Sequence, residues 1–563
     1  MQFFLREMDR GKTMRKIIID LTKTKPIFTA QELLDSPGFS SFLESYFADS
    51  LKDNRPNSSF FLAYQATTCI FFFQKVLDKE ETTIRKIREL DDKNLDDLLN
   101  LIDSIYDYWR KTERYLVFIK KDGQVASHRE FVMAFTEFSN SIVDAYRDLY
   151  ETVLGHEQTV YRVLPSGGNA GVLLAKENLP LGNNLDFLKT IPLMESVVTQ
   201  PPFIIKTKQN TRKGFFYEKN SPVKATDFDY QNSYGVLIRI YDVKGVVYFD
   251  KDYMGFLISL GNLFQVESYD PKKDKDISFI VLFGCSNQGN TCFYYKENDK
   301  YIGVLPKDAN IDYFGYAKKM VLTLFNLLMI ERKLLPIHGA GVKIRMNGRV
   351  KNLFLLGDSG AGKSETLETI RNLYGDDYQV DTIFDDMGTF HLLDGKVYAS
   401  GTEIGAFVRL DDLDQGYSLR SADRAVYLNI DEANSRVVIP IEDFEMTYTL
   451  HPVDCLLLAD NYTDNQKGIT LYSNPQEAMA DFIAGKRMAM NTTSEKGLVS
   501  TFFANPFGPM QKEKEVRTFL PDYFNALFKN NVPVGKIYTR LSLDRKEGPV
   551  NGAKSLIELF KNL

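Results

Sequence analysis

Cysteine is scarce in this chain. Four occur among 563 residues, at Cys69, Cys285, Cys292 and Cys455, and no two of them form a Cys-x-x-Cys pair. That argues against a disulfide-stapled scaffold and a thiolate zinc site, and it fits a reducing compartment. A strong excess of one charge is also missing: 69 Lys and Arg stand against 75 Asp and Glu, a formal charge of −6. The composition therefore gives no support to a basic nucleic-acid-binding surface, and no nucleic-acid partner is expected. Long apolar runs are absent. The longest, over residues 321–330, is about half of what a bilayer span requires. The opening stretch MQFFLREMDRGKTMRK mixes both signs of charge and has no apolar signal core. The expectation is a cytoplasmic protein with no membrane partner. Tryptophan occurs once, as Trp109, and is expected to be a packing residue.

What is present is ordinary globular material, 44% hydrophobic and 26% charged. At roughly 150 residues per domain the length allows about three or four domains. Large α/β enzymes use fewer, so two lobes and an appendage are expected. Residues 1–155 carry apolar positions at helical spacing over 41–47, 60–79 and 98–108, with little Gly or Pro. They read as a helical N-terminal region without a catalytic signature. A protein partner for this region is an open alternative that no residue pattern supports. Near 164–184 the turn-rich segments PSGGNAG and NLPLGNN change the character of the chain. Strand-like runs follow at 203–206, 235–241, 245–249 and 277–283, so 156–310 reads as a mixed α/β lobe. In 311–563 a helix is expected at 317–332, a strand at 350–356, a helix at 363–373, β-rich segments to about 458, and helices at 475–483 and 553–561.

The strongest local signal is Gly357-Asp358-Ser359-Gly360-Ala361-Gly362-Lys363-Ser364, which satisfies GxxxxGK[ST]. An apolar strand precedes it and a helix follows. Glycines let successive backbone N–H groups turn toward phosphate oxygens, and the helix N-terminus adds favourable partial charge. Lys363 is expected to neutralise the outer phosphates of ATP and Ser364 to hold Mg²⁺ through its hydroxyl. About twenty residues on, Ile383-Phe384-Asp385-Asp386 ends an apolar stretch in two carboxylates, a pattern suited to Mg²⁺ or Mn²⁺.

These motifs have a wider setting. The stretch Pro336-Ile337-His338-Gly339-Ala340-Gly341, followed by NLFLLGDSGAGKSE, resembles ATP-dependent phosphoenolpyruvate carboxykinase and the related HPr kinase/phosphorylase. The final Ser364-Glu365 is closer to HPr kinase. Upstream, Tyr313, then Lys318-Lys319, a helix and His338 follow the carboxykinase order. Downstream, Asn434-Ser435-Arg436-Val437-Val438-Ile439-Pro440 and Phe502-Phe503-Ala504-Asn505-Pro506-Phe507-Gly508 do the same. The resemblance covers roughly 200–563. It implies an α/β, two-lobed carboxykinase-like fold with a P-loop C-terminal lobe and an extra N-terminal helical region. It implies conversion of oxaloacetate and ATP to phosphoenolpyruvate, CO₂ and ADP. Lys319, His338 and one aspartate of the pair, Asp386, would hold Mn²⁺. Lys318 and Arg436 would contact the substrate carboxylate or the transferring phosphoryl group, and Tyr313 the CO₂ end. Residues 357–365, including Glu365, would serve ATP, with Lys363 and Ser364 toward ATP and Mg²⁺, and Asp385 would be the other carboxylate of the metal-binding pair. A mobile lid is expected near 460–468.

Two departures bear on the substrate. The family's N-terminal-lobe arginine, in a GRSPxDK segment, aligns with Asn220 in Lys219-Asn220-Ser221-Pro222-Val223-Lys224. Asparagine lacks the charged, two-pronged contact of arginine, which leaves Arg212 or Lys219 as substitutes. The arginine expected against adenine is replaced by Ile537, with Arg540 nearby. A carboxykinase-like enzyme is the leading expectation. A phosphotransferase of the same fold with another acceptor and a catalytically inactive nucleotide-binding protein are the alternatives.

Overall fold

The computed structural model describes residues 16–21, 29–53, 66–120, 128–160, 162–270, 276–286, 289, 291–346, 348–374, 378–410, 422–440, 444–490 and 496–562. The chain is mixed α/β, with several sheets and many helices. It divides into two compact units. One comprises Met1–Glu177, Pro192–Lys206 and Ala422–Arg424, and the other Asn178–Ile191, Thr207–Ser421 and Ala425–Leu563.

The first unit is less purely helical than its spacing implies. Strand Lys16–Asp20 pairs in parallel with Glu113–Ile119, which pairs in parallel with Ala170–Ala175, and Leu193–Thr199 runs antiparallel to the last. The runs Ile-Ile-Ile and Tyr-Leu-Val-Phe-Ile are apolar without alternation, as strands covered on both faces are. Helices Pro37–Asp53, Ala66–Leu77, Asp92–Lys111 and His128–Leu154 supply the cover. The expected helix at 60–79 begins at Ala66, and residues 60–65 lie outside the described residues. Asp92–Lys111 starts where the Asp91 side chain accepts from Asn94 N at 2.8 Å and ends in Arg110 and Lys111, which suits the helix dipole. Trp109 is buried in this unit. Phe42 stands edge-on to it at 5.2 Å, the Arg114 guanidinium lies over it at 5.2 Å, and its Nε1 donates to the carbonyl of Ser166.

The second unit holds two arrays of strands. In one the order is Ser233–Ile240, Val243–Asp250, Phe279–Cys285, Lys300–Pro306, Phe293–Glu297 and Tyr217–Glu218. Helices Met254–Leu263 and Phe314–Glu331 pack on it. The apolar run at 321–330 lies inside Phe314–Glu331 and is buried on nearly every face. Among the described residues no helix is long and apolar enough to cross a membrane. In the other array the order is His451–Pro452, Lys396–Gly401, Gln379–Leu393, Leu335–Met346, Arg349–Leu356, Cys455–Asp460, Val534–Tyr538 and Ile469–Leu471. Two apolar layers flank it. One includes Phe354, Phe384, Phe390 and Phe524, and the other Leu355, Leu457, Ile370 and Ile557. Strands Gly405–Arg409, Arg436–Pro440 and Val426–Leu428 pair antiparallel beside these. All four cysteines are free and buried.

Candidate active site

The phosphate-loop motif sits where strand Arg349–Leu356 hands over to helix Lys363–Tyr374. Gly360 and Gly362 take φ of +80° and +90°, a region that glycine enters without penalty. The close packing around Gly362 gives a second reason for glycine, since a Cβ there would lie 2.5 Å from Oγ1 of Thr539. Thr539 Oγ1 donates to the carbonyl of Ala361 at 2.7 Å and Asn461 Nδ2 to that of Gly360 at 2.9 Å, so residues just beyond two neighbouring strands hold the loop backbone. Lys363 folds back over its own loop, donating to the carbonyls of Gly357 at 2.7 Å and Asp358 at 3.2 Å. Ser364 Oγ donates to Oδ1 of Asp385 at 2.9 Å, which joins the loop to the acidic pair. Glu365 lies in the first turn of the helix.

Strand Leu335–Met346 lies between the loop's strand and Gln379–Leu393, and its register sets Gly339 opposite Leu356 on one side and Asp386 on the other. His338 is thereby beside both motifs. Asp386 takes φ of +96°, which is strained for a residue with a Cβ. This point in strand Gln379–Leu393 carries its carboxylate to helix Phe314–Glu331. There Lys318 Nζ lies 2.7 Å and Lys319 Nζ 2.6 Å from Oδ2 of Asp386. Lys318 is also 2.9 Å from Oε1 of Glu403, a carboxylate with 1% of its side chain exposed.

These charges shape one another. Burial alone would raise the Asp386 carboxyl, but Lys318, Lys319 and His338 outweigh it and hold the group well below its ordinary range. Burial disfavours the ammonium of Lys318, yet Asp386 and Glu403 outweigh that and keep it firmly charged. Lys319 goes the other way, lowered chiefly by burial and also by the Lys318 charge beside it. Burial pushes Glu403 up to about 7.

The ring nitrogens of His338 both face acceptors. Nδ1 lies 3.1 Å from the carbonyl oxygen of Ala504, and Nε2 lies 2.8 Å from Oδ1 of Asp386. A carbonyl only accepts, so Nδ1 carries the proton. Burial lowers the pKa of the imidazole and favours the neutral ring. The Nε2 lone pair then points at a carboxylate oxygen, and a cation between the two satisfies both. Adjacent ligands of an octahedral divalent ion, each at ~2.1 Å, stand about 3 Å apart, close to the observed 2.8 Å. His338, Asp386 and a deprotonated Lys319 amine therefore fit such an ion. Among the described residues no group of three or more His, Cys, Asp and Glu side chains is arranged to hold a metal, so the lysine is needed to complete the set.

Beyond the cation cluster the walls are aromatic and basic. Phe507 lies under both Lys319 Nζ, at 4.6 Å, and the Arg212 guanidinium, at 4.9 Å. Phe407 lies under Lys318 at 5.7 Å and Arg436 at 5.8 Å. Tyr313 is buried next to Phe407, with Arg436 at its hydroxyl. Lys318, Lys319, His338, Asp386, Arg436, Tyr313 and Arg212 are thus brought together. Asn220 is exposed on the turn after Tyr217–Glu218, and Lys219 turns its ammonium over Phe293 at 4.9 Å. Of the two candidate substitutes, Arg212 is the one that reaches the Phe507 wall. Ile537 is fully buried in its strand and offers no face to a base. At the start of the expected lid near 460–468, Asp460 Oδ1 accepts from the backbone of Tyr462 and Thr463 at 3.0 and 2.8 Å.

Glu403, Arg409, Phe407 and Arg487 are neighbours that motif reading passed over. Arg409 stands directly opposite Arg436 in the ladder Gly405–Arg409 to Arg436–Pro440. That juxtaposition comes from the pairing of two strands and leaves no mark in the local sequence. No protein-family model matches the chain, and no curated protein matches it at a significant level.

Proposed function

We propose that this chain is an ATP-dependent phosphoenolpyruvate carboxykinase-like enzyme with the two-lobed architecture of that family, its C-terminal P-loop lobe spanning 311–563. The observation that carries the reading is the meeting of Lys318, Lys319, His338 and Asp386 beside a phosphate loop whose Ser364 bonds Asp385. A nucleotide loop alone supports many reactions. Amines and an imidazole converging within hydrogen-bond distance of one carboxylate are far more specific.

The residues have separable tasks. The N–H groups of residues 357–364 and the Lys363 ammonium receive the ATP phosphates, while Ser364 and Asp385 are the donors for Mg²⁺. Lys319, His338 and Asp386 are the donors for Mn²⁺, which when bound supplies positive charge beside a developing enolate oxygen. Arg212, Arg436 and Lys318 grip the substrate's carboxylates and Tyr313 lines the end from which CO₂ departs. The C–C bond to the leaving carboxylate breaks, its electron pair forms the enolate, and the enolate oxygen takes the γ-phosphoryl group from ATP, leaving ADP. The apolar faces of Phe407 and Phe507 keep water from protonating the enolate to pyruvate. A cytoplasmic setting goes with this reading, and the free, buried cysteines are compatible with it.

The exposed position of Asn220 favours a second reading, a phosphotransferase of the same fold with another acceptor. One assay separates them. Protein is incubated with oxaloacetate, ATP, Mg²⁺ and Mn²⁺, and phosphoenolpyruvate is followed by ³¹P NMR beside a Lys319→Ala control. Phosphoenolpyruvate from wild type alone supports the carboxykinase reading. Bound ATP without phosphoenolpyruvate overturns it in favour of the second.

A further inference from the structure

The second residue of the phosphate loop is an aspartate, and nothing in phosphate binding calls for one. The motif leaves that position free, and a carboxylate aimed into the cradle would repel the ligand. Asp358 avoids this by pointing inward. Its side chain is 7% exposed, and three groups meet it. Oδ1 accepts from the N–H of Ser359 at 2.7 Å and lies 3.4 Å from Nδ1 of His338, and Oδ2 lies 3.0 Å from Nη2 of Arg487. Arg487 itself is 2% exposed. It comes from strand Lys486–Met488, which is fastened to the loop a second time. Asn461 donates to the carbonyls of both Gly360 and Met488 at 2.9 Å and accepts from Met488 N at 2.9 Å. The main chain adds another tie, since the N–H of Gly357 donates to the carbonyl of His338 at 2.9 Å.

We propose that Asp358 and Arg487 are a positioning pair for His338. The imidazole is flanked by a carboxylate at each end, Asp386 at Nε2 and Asp358 at Nδ1. The second of these, 3.4 Å from Nδ1, sets a negative charge beside the N–H that the Ala504 carbonyl accepts at 3.1 Å, and the two together hold the ring so that Nε2 faces the cation site as a lone pair. A carboxylate behind a ligating imidazole also makes that imidazole a better donor. Arg487 is required because a buried carboxylate with no counter-charge is costly, and the burial of Asp358 is offset by Arg487 and the Ser359 N–H. The loop that receives nucleotide and the ligand that receives the cation are thereby parts of one rigid assembly.

This inference rests on the cation site proposed above, and its test distinguishes the two. Mn²⁺ binding is measured by the electron paramagnetic resonance signal of free Mn²⁺, without nucleotide, for wild type, Asp358→Asn/Arg487→Met and Arg487→Lys. The double variant removes both charges together, so neither is left buried alone, and Arg487→Lys keeps a cation beside Asp358. The expected result is a loss of about 10- to 100-fold in Mn²⁺ affinity in the double variant, with Arg487→Lys within about threefold of wild type. In parallel, ¹⁵N-histidine spectra, simple in a chain with five histidines, report the His338 tautomer, assigned through His338→Asn. Wild type is expected to hold the proton on Nδ1, and the double variant, left with the Ala504 carbonyl alone at Nδ1, to shift toward the Nε2–H tautomer. Equal Mn²⁺ affinity and an unchanged tautomer in the double variant would overturn the positioning role while leaving the cation site intact. A wild type that binds no Mn²⁺ would overturn the cation site and, with it, this role for the pair.

Discussion

Replacing Glu403 with glutamine should change how stability responds to pH in a direction opposite to that of most carboxylates. The side chain is 1% exposed and faces the Lys318 ammonium at 2.9 Å. Burial pushes its carboxyl from 4.5 up to about 7. A carboxyl raised in the fold favours the native state fully below its unfolded value and gives that contribution up as pH rises through the folded value. A rise from 4.5 to about 7 corresponds, at ~1.4 kcal/mol per pH unit, to roughly 3 kcal/mol. The wild type should therefore lose up to that amount, relative to Glu403→Gln, between pH 5 and pH 8. Lys318 keeps Asp386 in the variant, at 2.7 Å, so no cation is left alone in the interior. Loss of the attraction to Lys318 lowers the variant's stability most where Glu403 is ionised, and that attraction already counts among the causes that hold the group at about 7 and no higher. Urea unfolding followed by far-ultraviolet circular dichroism at the two pH values measures the effect. The free-energy difference between variant and wild type should move in the variant's favour by about 1–3 kcal/mol from pH 5 to pH 8. A difference that stays constant, or moves toward the wild type, would refute the reasoning, because the carboxylate would then be stabilised by its surroundings as an ion.

Gly362→Ala would set a Cβ 2.5 Å from Oγ1 and 2.6 Å from Cβ of Thr539, at φ of +90°. Relieving that contact and the ~1–3 kcal/mol of backbone strain must reshape the loop, so calorimetric titration with Mg²⁺·ATP should find affinity at least about tenfold weaker. In the first unit, Phe42→Ala removes a side chain that is 1% exposed and packed against Tyr108 and Trp109. It should cost about 3–5 kcal/mol in chemical denaturation, and a loss below about 1 kcal/mol would mean that the site collapses without penalty.

The parts of the site that could be read from sequence are those whose chemistry is local. The loop at 357–364 is one, because eight consecutive residues and their flanking strand and helix carry the whole signal. Lys318-Lys319, His338 and Asp385-Asp386 could be named in order, but only pairing explains why they meet. The register of Leu335–Met346 against two neighbours brings His338 and Asp386 together, and the positive φ of Asp386 turns its carboxylate onto the lysines. Neither leaves a trace in local composition. Glu403 and Arg487 looked like ordinary charged residues for the same reason, since each is recruited by a contact more than eighty residues away in the chain. In residues 1–155 the helical spacing was legible, whereas Lys16–Asp20 and Glu113–Ile119 were not picked out. Short apolar runs covered on both faces have no alternation to mark them as strands. The helix Glu513–Lys529 was missed as well, and Pro521 within it is a breaker on local rules that surrounding packing overrides.

On the nucleotide-binding reading proposed above, capture is an exchange of partners for the Lys363 ammonium, which is bonded to two carbonyl oxygens of its own loop. An arriving ligand must offer that ammonium more than the carbonyls of Gly357 and Asp358 already do at 2.7 and 3.2 Å. Neutral hydroxyls and sugars have no advantage to offer, whereas a chain of phosphates, carrying full charge, does. On that reading the Lys363 contacts select ligands by their charge density, and nucleosides and sugars, however well their shape suited the cleft, would leave those contacts unbroken.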